Sequence, residues 1–374
     1  MNTAATVRAD FGAHLYDRLA RTQSGKNLFL SPFSIQVSLA MIAAAAKAET
    51  RKVLAELIGA SEGVDEQNRQ YAEWISAIHG NKEGQVQLAT ANALWGQQGY
   101  RFNAEYKKVV ADFYEGVFNE VNFQSVPDQI VKTINRWVED KTDGKIKDLV
   151  KHDLVTADTR LILTNAIYFE GKWGNEFDKS DTLNEDWYGF KGEHKVPMMQ
   201  QRRGFHYYEN DEFQALDLPY QGQQLSMLVL LPRKKNGLTA LESKWIEANT
   251  YRQVTDSLAY ESMVIVSLPR FKIEAEFMLK PVLCNLGAEL AFTDKADFSG
   301  LGEGPLKIAE VIHKTFIEVN EEGTEAAGAT GVVTAKGGSR NQPKVFLADH
   351  PFLFFIRHKN TNAMLFCGRL IEPN

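Results

Sequence analysis

Few residues of this sequence could act in catalysis or bind a metal, and their spacings match no known catalytic or metal-binding motif. The eight histidines are scattered and form no His-Glu-x-x-His pair, and the two cysteines, Cys284 and Cys367, form no Cys-x-x-Cys motif. Closely spaced ligands of that kind build zinc sites. No Gly-x-Ser-x-Gly motif marks a nucleophilic serine. We therefore predict no catalytic residue, no metal, no cofactor and no enzyme.

Two further features resemble functional sites but lack their context. The pairs Gly144–Lys145 and Gly171–Lys172 lack the upstream glycine and the following Ser or Thr of a phosphate-binding loop. His313 begins an apolar, strand-like run that ends at Val319. We expect His313 to be a buried histidine that is hydrogen-bonded to its neighbours rather than a catalytic base.

Composition narrows the class of protein. The chain has 374 residues, 44% of them hydrophobic and 24% charged, with a net charge of -6, which is typical of soluble globular proteins. The acidic balance argues against a nucleic-acid partner, and no apolar run reaches the roughly 18 residues that span a membrane.

The N-terminus lacks the apolar core of a signal peptide, so a cytoplasmic or secreted location stays open. Both cysteines should be buried as small hydrophobic residues.

The elements follow an order of helices first and strands later, which predicts the α+β class. The first half should be helical, with helices at Ser34–Lys47, Glu66–His79, Asn103–Tyr114 and Asp128–Lys141. The second half should contain strands at Leu161–Phe169, Gln224–Pro232 and Met263–Phe277, and a C-terminal hairpin within 352–371. No linker-like segment interrupts the chain, so we predict one domain over residues 1–374.

The segment Glu321–Arg340 contains only small residues and a few charges. Read as a strand, whose side chains alternate between two faces, it would carry only small uncharged residues on one face: Thr324, Ala326, Gly328, Thr330, Val332 and Thr334. Proline would block pairing in a central strand, and none occurs between Gly323 and Gln342. The segment suits an exposed loop that can become a central strand.

This segment and several others resemble the serpins, a family of serine protease inhibitors. EEGTEAAGAT (Glu321–Thr330) is similar to the family's mobile hinge. Further matches run from about residue 7 to residue 373: NLFLSPFSI (Asn27–Ile35), LTNAIYFEGKW (Leu163–Trp173), VPMM (Val196–Met199), LPRF (Leu268–Phe271), ADFSGL (Ala296–Leu301) and HPFLFFIRH with LFCGRL (His350–Leu370).

The resemblance implies a fold and a set of site residues. The fold would be one large domain with about nine helices, three mainly antiparallel sheets and an exposed reactive loop at approximately 321–345. The hinge would comprise Glu321, Glu322, Gly323, Thr324, Glu325, Ala326, Ala327, Gly328, Ala329 and Thr330. Residues that control opening of the central sheet, called the shutter and the breach in this family, would be Ser31, Ser34, Asn165, His313 and Trp173.

The resemblance also implies a mechanism. A serine protease would cleave the loop as a substrate, and the freed hinge would enter the central sheet before the acyl-enzyme hydrolyses, so that a metastable fold traps the protease. Cysteine proteases stay open as further targets. Small hinge residues favour an inhibitor, and the alternative is a non-inhibitory serpin that acts as a carrier or chaperone.

The bait residue, which the protease would cleave after, has four candidates. Counting from Glu321 by the family's spacing gives Gly337, whereas counting back from Pro351 gives Arg340; Ala335 and Lys336 are also candidates. We favour Lys336, because glycine offers a specificity pocket no side chain. A trypsin-like target is therefore favoured over an elastase- or subtilisin-like one. Residues 67–82 carry few cations, so we predict no heparin activation. We also expect the protein to be a monomer.

Overall fold

A computed structural model of the chain describes residues 3–60, 63–79, 86–247, 250–324 and 342–373. Within them lie nine α-helices: α1 (Thr3–Thr22), α2 (Pro32–Ala43), α3 (Ala48–Ile58), α4 (Val64–His79), α5 (Ala104–Tyr114), α6 (Pro127–Lys141), α7 (Leu238–Glu247), α8 (Thr250–Ser257) and α9 (Lys280–Leu283). The strands are β1 (Leu28–Leu30), β2 (Val86–Gln97), β3 (Val117–Val121), β4 (Leu161–Lys172), β5 (Leu183–Gly189), β6 (Gly192–Glu209), β7 (Phe213–Pro219), β8 (Leu225–Pro232), β9 (Ala259–Pro269), β10 (Phe271–Met278), β11 (Glu310–Val319), β12 (Gly323–Thr324), β13 (Lys344–Leu347), β14 (Phe352–His358) and β15 (Ala363–Leu370). The predicted α+β class is confirmed.

A six-stranded sheet positions the candidate site. Its strand order is β10-β11-β12-β4-β2-β3, and β4 occupies a central position, as the apolar composition of Leu161–Phe169 predicts. β11 runs antiparallel to β10 but parallel to β4, in register from Glu310 opposite Ile162 to Phe316 opposite Tyr168. The two-residue strand β12 lies between β11 and β4 at one end of this pairing.

The two faces of this sheet pack against different layers. Helix α6 covers one face, where its apolar side chains belong to the same buried cluster as Ile312 and Phe316 of β11. The opposite face packs against α2 and the second sheet, and it carries Val311 and Ile317. Because strand side chains alternate, His313 also points to this inner face, whereas its neighbour Lys314 points towards the α6 side.

The second sheet has nine strands in the order β1-β15-β14-β8-β7-β6-β9-β13, with β5 paired to β6. The 18-residue strand β6 pairs with β5 along residues 192–198, with β9 along residues 198–207 and with β7 along residues 206–209. Its pairing with β9 shifts register between Arg203 and Phe205, where the strand bends. We expected three sheets, and the described residues form two. The strands of the expected second and third sheets belong to one hydrogen-bonded sheet, because β6 is continuous between them.

One sequence-based expectation was wrong: the first half is not all helical. β2 spans Val86–Gln97, and β3 spans Val117–Val121. Ala, Leu and Gln in β2 are good helix formers, but each residue from Val86 to Gly96 pairs with β4. Pairing with a buried central strand overrides that local preference.

The run Met263–Phe277 proves to be two strands that belong to different sheets. β9 ends at Pro269 in the nine-stranded sheet, and β10 begins at Phe271 in the six-stranded sheet. Arg270 stands at the break, where its amide donates to the carbonyl of Pro197 over 3.0 Å. This break places the Arg270 side chain beside the end of β11.

Candidate functional site

The candidate site is an entrance between β4 and β11 that is already occupied by the start of the hinge. Thr324 pairs with Val319 of β11 and with Gly171 of β4, and Gly323 pairs with Lys172. Both pairings are antiparallel, so β12 occupies the position that a new central strand would extend. Beyond β12, β4 and β11 pair directly with each other.

Close packing at the entrance requires glycine at position 323. A Cβ atom added there would lie 2.2 Å from the carbonyl oxygen of Gly171 and 2.7 Å from the Cα atom of Lys172. Both contacts are to backbone, which cannot rotate away, so no larger residue fits. Steric packing against β4 therefore explains why the predicted hinge has glycine at position 323.

Trp173 holds the chain that leads into β12. Its indole Nε1 donates to the carbonyl of Asn320 over 2.9 Å, and its backbone amide donates to the carbonyl of Glu322, also over 2.9 Å. Its ring stacks on Tyr220 with centroids 4.8 Å apart. The Tyr220 hydroxyl lies 2.7 Å from that of Thr324, and burial raises the pKa of Tyr220, so the phenol stays neutral.

Two ion pairs fix the hinge carboxylates. Arg270 donates through Nε and Nη2 to one oxygen of Glu321, which also accepts from the Thr182 hydroxyl. Lys179 pairs with Glu322. Burial alone would raise the pKa of Glu321, but the hydrogen bonds from Arg270 and Thr182 outweigh burial and lower it. Glu321 is therefore a buried anion with a dedicated cation.

The first residues of the predicted exposed loop are not exposed. Glu321, Glu322 and Thr324 are buried, with 2%, 7% and 0% exposure. Their carboxylates have cationic partners and their backbone is hydrogen-bonded at the entrance, so burial leaves them satisfied. The predicted start of the exposed loop at residue 321 is therefore wrong, because residues 321–324 are all buried.

A buried polar cluster lies beneath the pairing of β4 with β11, and it unites Ser31, Ser34, Asn165 and His313. The amide of Ser31 donates to Nε2 of His313 over 3.0 Å, and Nδ1 of His313 contacts the Oδ1 atom of Asn165. The Nδ2 atom of Asn165 donates to the Ser34 carbonyl over 3.1 Å. Ser31 also caps α2, because its hydroxyl accepts from the Ser34 amide. These contacts join β4, β11 and the start of α2.

His313 is neutral in this cluster. Full burial lowers its pKa to about 3. Its Nε2 atom accepts from a backbone amide, so the proton must sit on Nδ1, where Asn165 accepts it. The expectation of a buried, hydrogen-bonded histidine is confirmed. His313 and Asn165 are also direct partners in the parallel register, so their contact bridges the two strands that would part.

Several residues of the site were not found from the sequence. Asn92 on β2 lies opposite Asn165 in register, and its Oδ1 atom accepts from Asn165, Ser34 and Ser38. Thr315 donates from its hydroxyl to the carbonyl of Phe29 over 2.7 Å. Thr315 could have been found, since it lies two residues from His313 on the same face. Asn92 could not, because no strand was predicted at residues 86–97.

The remaining candidates cannot be placed. The hinge residues Glu325, Ala326, Ala327, Gly328, Ala329 and Thr330 and the bait candidates Ala335, Lys336, Gly337 and Arg340 lie outside the described residues. Among the described residues, no helix has the length and apolar character to cross a membrane. Nor do these residues include a cluster of three or more side chains suited to a metal ion. Of the two cysteines, Cys367 is buried as expected, whereas Cys284 is only partly buried.

The family follows from comparison with known proteins. A family model described as serpin (serine protease inhibitor) matches residues 6–373. The chain is a serpin. It is 39% identical to a serpin-like protein of Thermococcus kodakarensis, over 97% of this chain and 84% of that protein. The solved structure of Serpin48 from the insect Tenebrio molitor is 30% identical with a TM-score of 0.90, covering 99% of this serpin and 98% of that chain.

The fold alone does not settle what this serpin does. Human thyroxine-binding globulin complexed with thyroxine is also similar, at 26% identity and a TM-score of 0.90, covering 99% of this serpin and 98% of that chain. The serpin family consists mostly of protease inhibitors, and its partners are then proteases. Whether this serpin traps a protease depends on the entrance and the reactive loop.

Proposed function

We propose that this serpin is a suicide inhibitor of serine proteases. The observation that carries the proposal is the position of β12, which pairs antiparallel with both β4 and β11 while those strands remain paired with each other beyond it. In this proposal, β12 is the first part of an inserted strand, and the direct pairing of β4 with β11 beyond it is the place that the rest of that strand would take. Cleavage of the loop would let the following residues continue the same strand.

The energetics favour insertion after cleavage. Each inserted residue would gain ladder hydrogen bonds that are worth ~1 kcal/mol net, and about a dozen residues would release on the order of 10 kcal/mol. That is comparable with the stability of a whole domain. The inserting face, from Thr324 to Thr334, carries only small uncharged side chains, so entry buries no charge. The intact fold is a kinetic trap, and the protease's own nucleophile performs the chemistry.

The polar cluster would regulate the opening. Asn165 on β4 and His313 on β11 are joined directly across the line where the strands part. Neutral side chains can exchange hydrogen-bond partners there without exposing a buried charge. We assign Ser31, Ser34, Asn165 and His313, with Asn92 added, to this control, and Trp173 to the entrance.

The target class follows from the bait residue. Lys336 would direct the loop to trypsin-like enzymes, whose specificity pocket carries an acid, whereas Ala335 or Gly337 would suit elastase- or subtilisin-like enzymes. No heparin activation is proposed, since Arg69 on α4 is paired with Glu66 and His79 contacts Glu115.

The proposal is tested by incubating the protein with trypsin, elastase and subtilisin. We expect a complex that survives SDS with at least one of them, and a cleaved form that is far more heat-stable than the intact form. The C-terminal fragment released by cleavage should begin at Gly337 by mass spectrometry; a start at Asn341 would refute Lys336 as bait. Cleavage without a complex and without a gain in heat stability would favour the carrier or chaperone alternative.

A further inference from the structure

The segment after the reactive loop is weakly held by its backbone. β13 is four residues long and lies at the end of the nine-stranded sheet, where it pairs with β9 in parallel from Lys344 opposite Val264 to Leu347 opposite Ser267. Val345 and Leu347 remain 47% and 46% exposed. Only Phe346 is anchored in the core. A short edge strand with half its side chains in solvent has little to keep it in place.

A carboxylate at the end of β6 compensates for this weakness. The Oε1 atom of Glu209 accepts from Lys344 Nζ over 2.6 Å, and its Oε2 atom accepts from the Tyr207 hydroxyl over 2.8 Å and from Arg233. Gln214 donates both to the Tyr207 hydroxyl over 2.6 Å and to the carbonyl of Val345 over 2.8 Å. Glu209 thus joins β13 to β6 directly and also through Gln214 on β7.

We propose that Glu209 is a positioning residue that clamps the distal end of the reactive loop through Lys344. The proposal rests on the proposed function in one respect: it treats residues 325–343 as the loop that inserts. An uncut loop is tied to the sheets at both ends, at β12 and at β13. It can follow β12 fully into the six-stranded sheet only if β13 leaves β9. The clamp would therefore keep the uncut loop available to a protease.

The charges around Glu209 favour its ionised form. Lys344 on β13, Tyr207 on β6 and Arg233 after β8 face it, and Glu261 on β9 lies close enough to Lys344 to act on its charge. The hydrogen bond from Lys344 is the largest of the effects that lower the pKa of Glu209 to about 2. A carboxyl with a lowered pKa stabilises the clamped state above its ordinary pKa of 4.5, and that contribution is lost as the pH falls towards 2. The clamp should be intact at neutral pH.

The test measures release of β13 by amide hydrogen exchange at residues 344–348 in the intact, full-length protein at pH 7. Glu209→Gln and Lys344→Met each remove a charged partner, and we expect exchange there to accelerate about tenfold, the low end for one charged hydrogen bond. Glu212→Gln is the matched control, because Glu212 lies three residues on and pairs with Lys244 instead. Lys344→Arg retains the cation and should restore slow exchange.

A second readout follows the uncut protein during incubation at 37 °C. Glu209→Gln should convert about tenfold faster than the parent to a form that no longer reacts with protease. This difference should shrink as the pH falls from about 4.5 towards 2, because a Glu209 carboxylate released from the clamp is then protonated.

Unchanged exchange at residues 344–348 in Glu209→Gln would overturn the clamp, and so would equal acceleration in Glu212→Gln or in the helices, since either would mean general loosening. Exchange does not depend on inhibition. Faster exchange without any protease complex would leave the clamp standing and refute the proposed function, and the reverse result would refute only the clamp.

Discussion

The two ends of the reactive loop are held by similar chemistry in different surroundings. The proximal end enters the middle of a sheet, where β12 has a strand on each side and Thr324 is fully buried. The distal end, β13, pairs with β9 at the end of the other sheet and leaves Val345 and Leu347 half exposed. Each end adds a carboxylate held by cations: Glu321 by Arg270, and Glu209 by Lys344.

This difference suits two opposite tasks. A central position can be extended by further residues, since both neighbouring strands offer backbone partners. An edge position can be vacated at little loss of packing, so it needs a side-chain clamp to persist. If the proposed function holds, the proximal end lets the loop enter the sheet, and the distal end keeps the uncut loop from being drawn in.

The largest effect should come from blocking the central position. Thr324→Arg would place a cation between β4 and β11, where an unpaired charge is strongly disfavoured. We expect loss of the SDS-stable complex, with the protease cleaving the variant as an ordinary substrate. Gel analysis after incubation with the target protease measures this. Val345→Arg is the matched control at the distal end and should inhibit normally; equal loss in both variants would break the comparison.

The second effect concerns the cluster beneath the proximal end. Asn165→Ala would leave Nδ1 of His313 without its acceptor in a buried site, and it would remove one of the three donors to the Asn92 oxygen. Orphaned buried groups destabilise by about 1–3 kcal/mol each, so the free energy of unfolding should fall by about 2–3 kcal/mol. Denaturant unfolding of the intact protein measures the change. Asn175→Ala, which loses only a 3.4 Å contact with Arg203, should stay within about 0.5 kcal/mol of the parent.

Much of this site could be predicted from the sequence, and the rest could not for identifiable reasons. Thr324 was singled out because small residues at alternate positions indicate a strand that can enter a sheet, and Gly323 through the resemblance of residues 321–330 to the serpin hinge. Arg270 was missed as a partner of the hinge. Its role depends on the change of sheet between β9 and β10, which places its side chain beside Glu321, and no local sequence pattern shows that these two residues are close in space. Asn92 was missed because β2 has helix-forming residues that pairing with β4 overrides.

The third prediction inverts a pH dependence at the proximal end. In the parent, the pKa of Glu321 lies below its ordinary value of 4.5, so the carboxylate contributes stability above that pH and loses it on acidification. In Arg270→Met, burial would dominate and raise the pKa, so that stability should fall as the pH rises above 4.5.

Melting temperatures of Arg270→Met between pH 4 and pH 7 measure that slope. Adding Glu321→Gln to Arg270→Met should remove most of the inverted dependence, because no buried carboxyl remains to titrate. An unchanged slope in the single variant would mean that Thr182 and the backbone alone hold the anion.

The smallest effect separates the two lysines, one at each end. Lys179 is 67% exposed and pairs with Glu322, and Lys344 is 40% exposed and pairs with Glu209. An exposed pair contributes roughly 0–1 kcal/mol, and Glu322 keeps its backbone bond to Trp173 without Lys179. Lys179→Met should therefore lower stability by less than about 1 kcal/mol and leave the conversion rate of the uncut protein unchanged, whereas Lys344→Met accelerates it. Equal conversion rates in Lys179→Met and Lys344→Met would mean that the position of the ion pair in its sheet has no influence on conversion. A faster rate in Lys344→Met alone would mean that an ion pair controls the loop only at the end where a strand must leave its sheet.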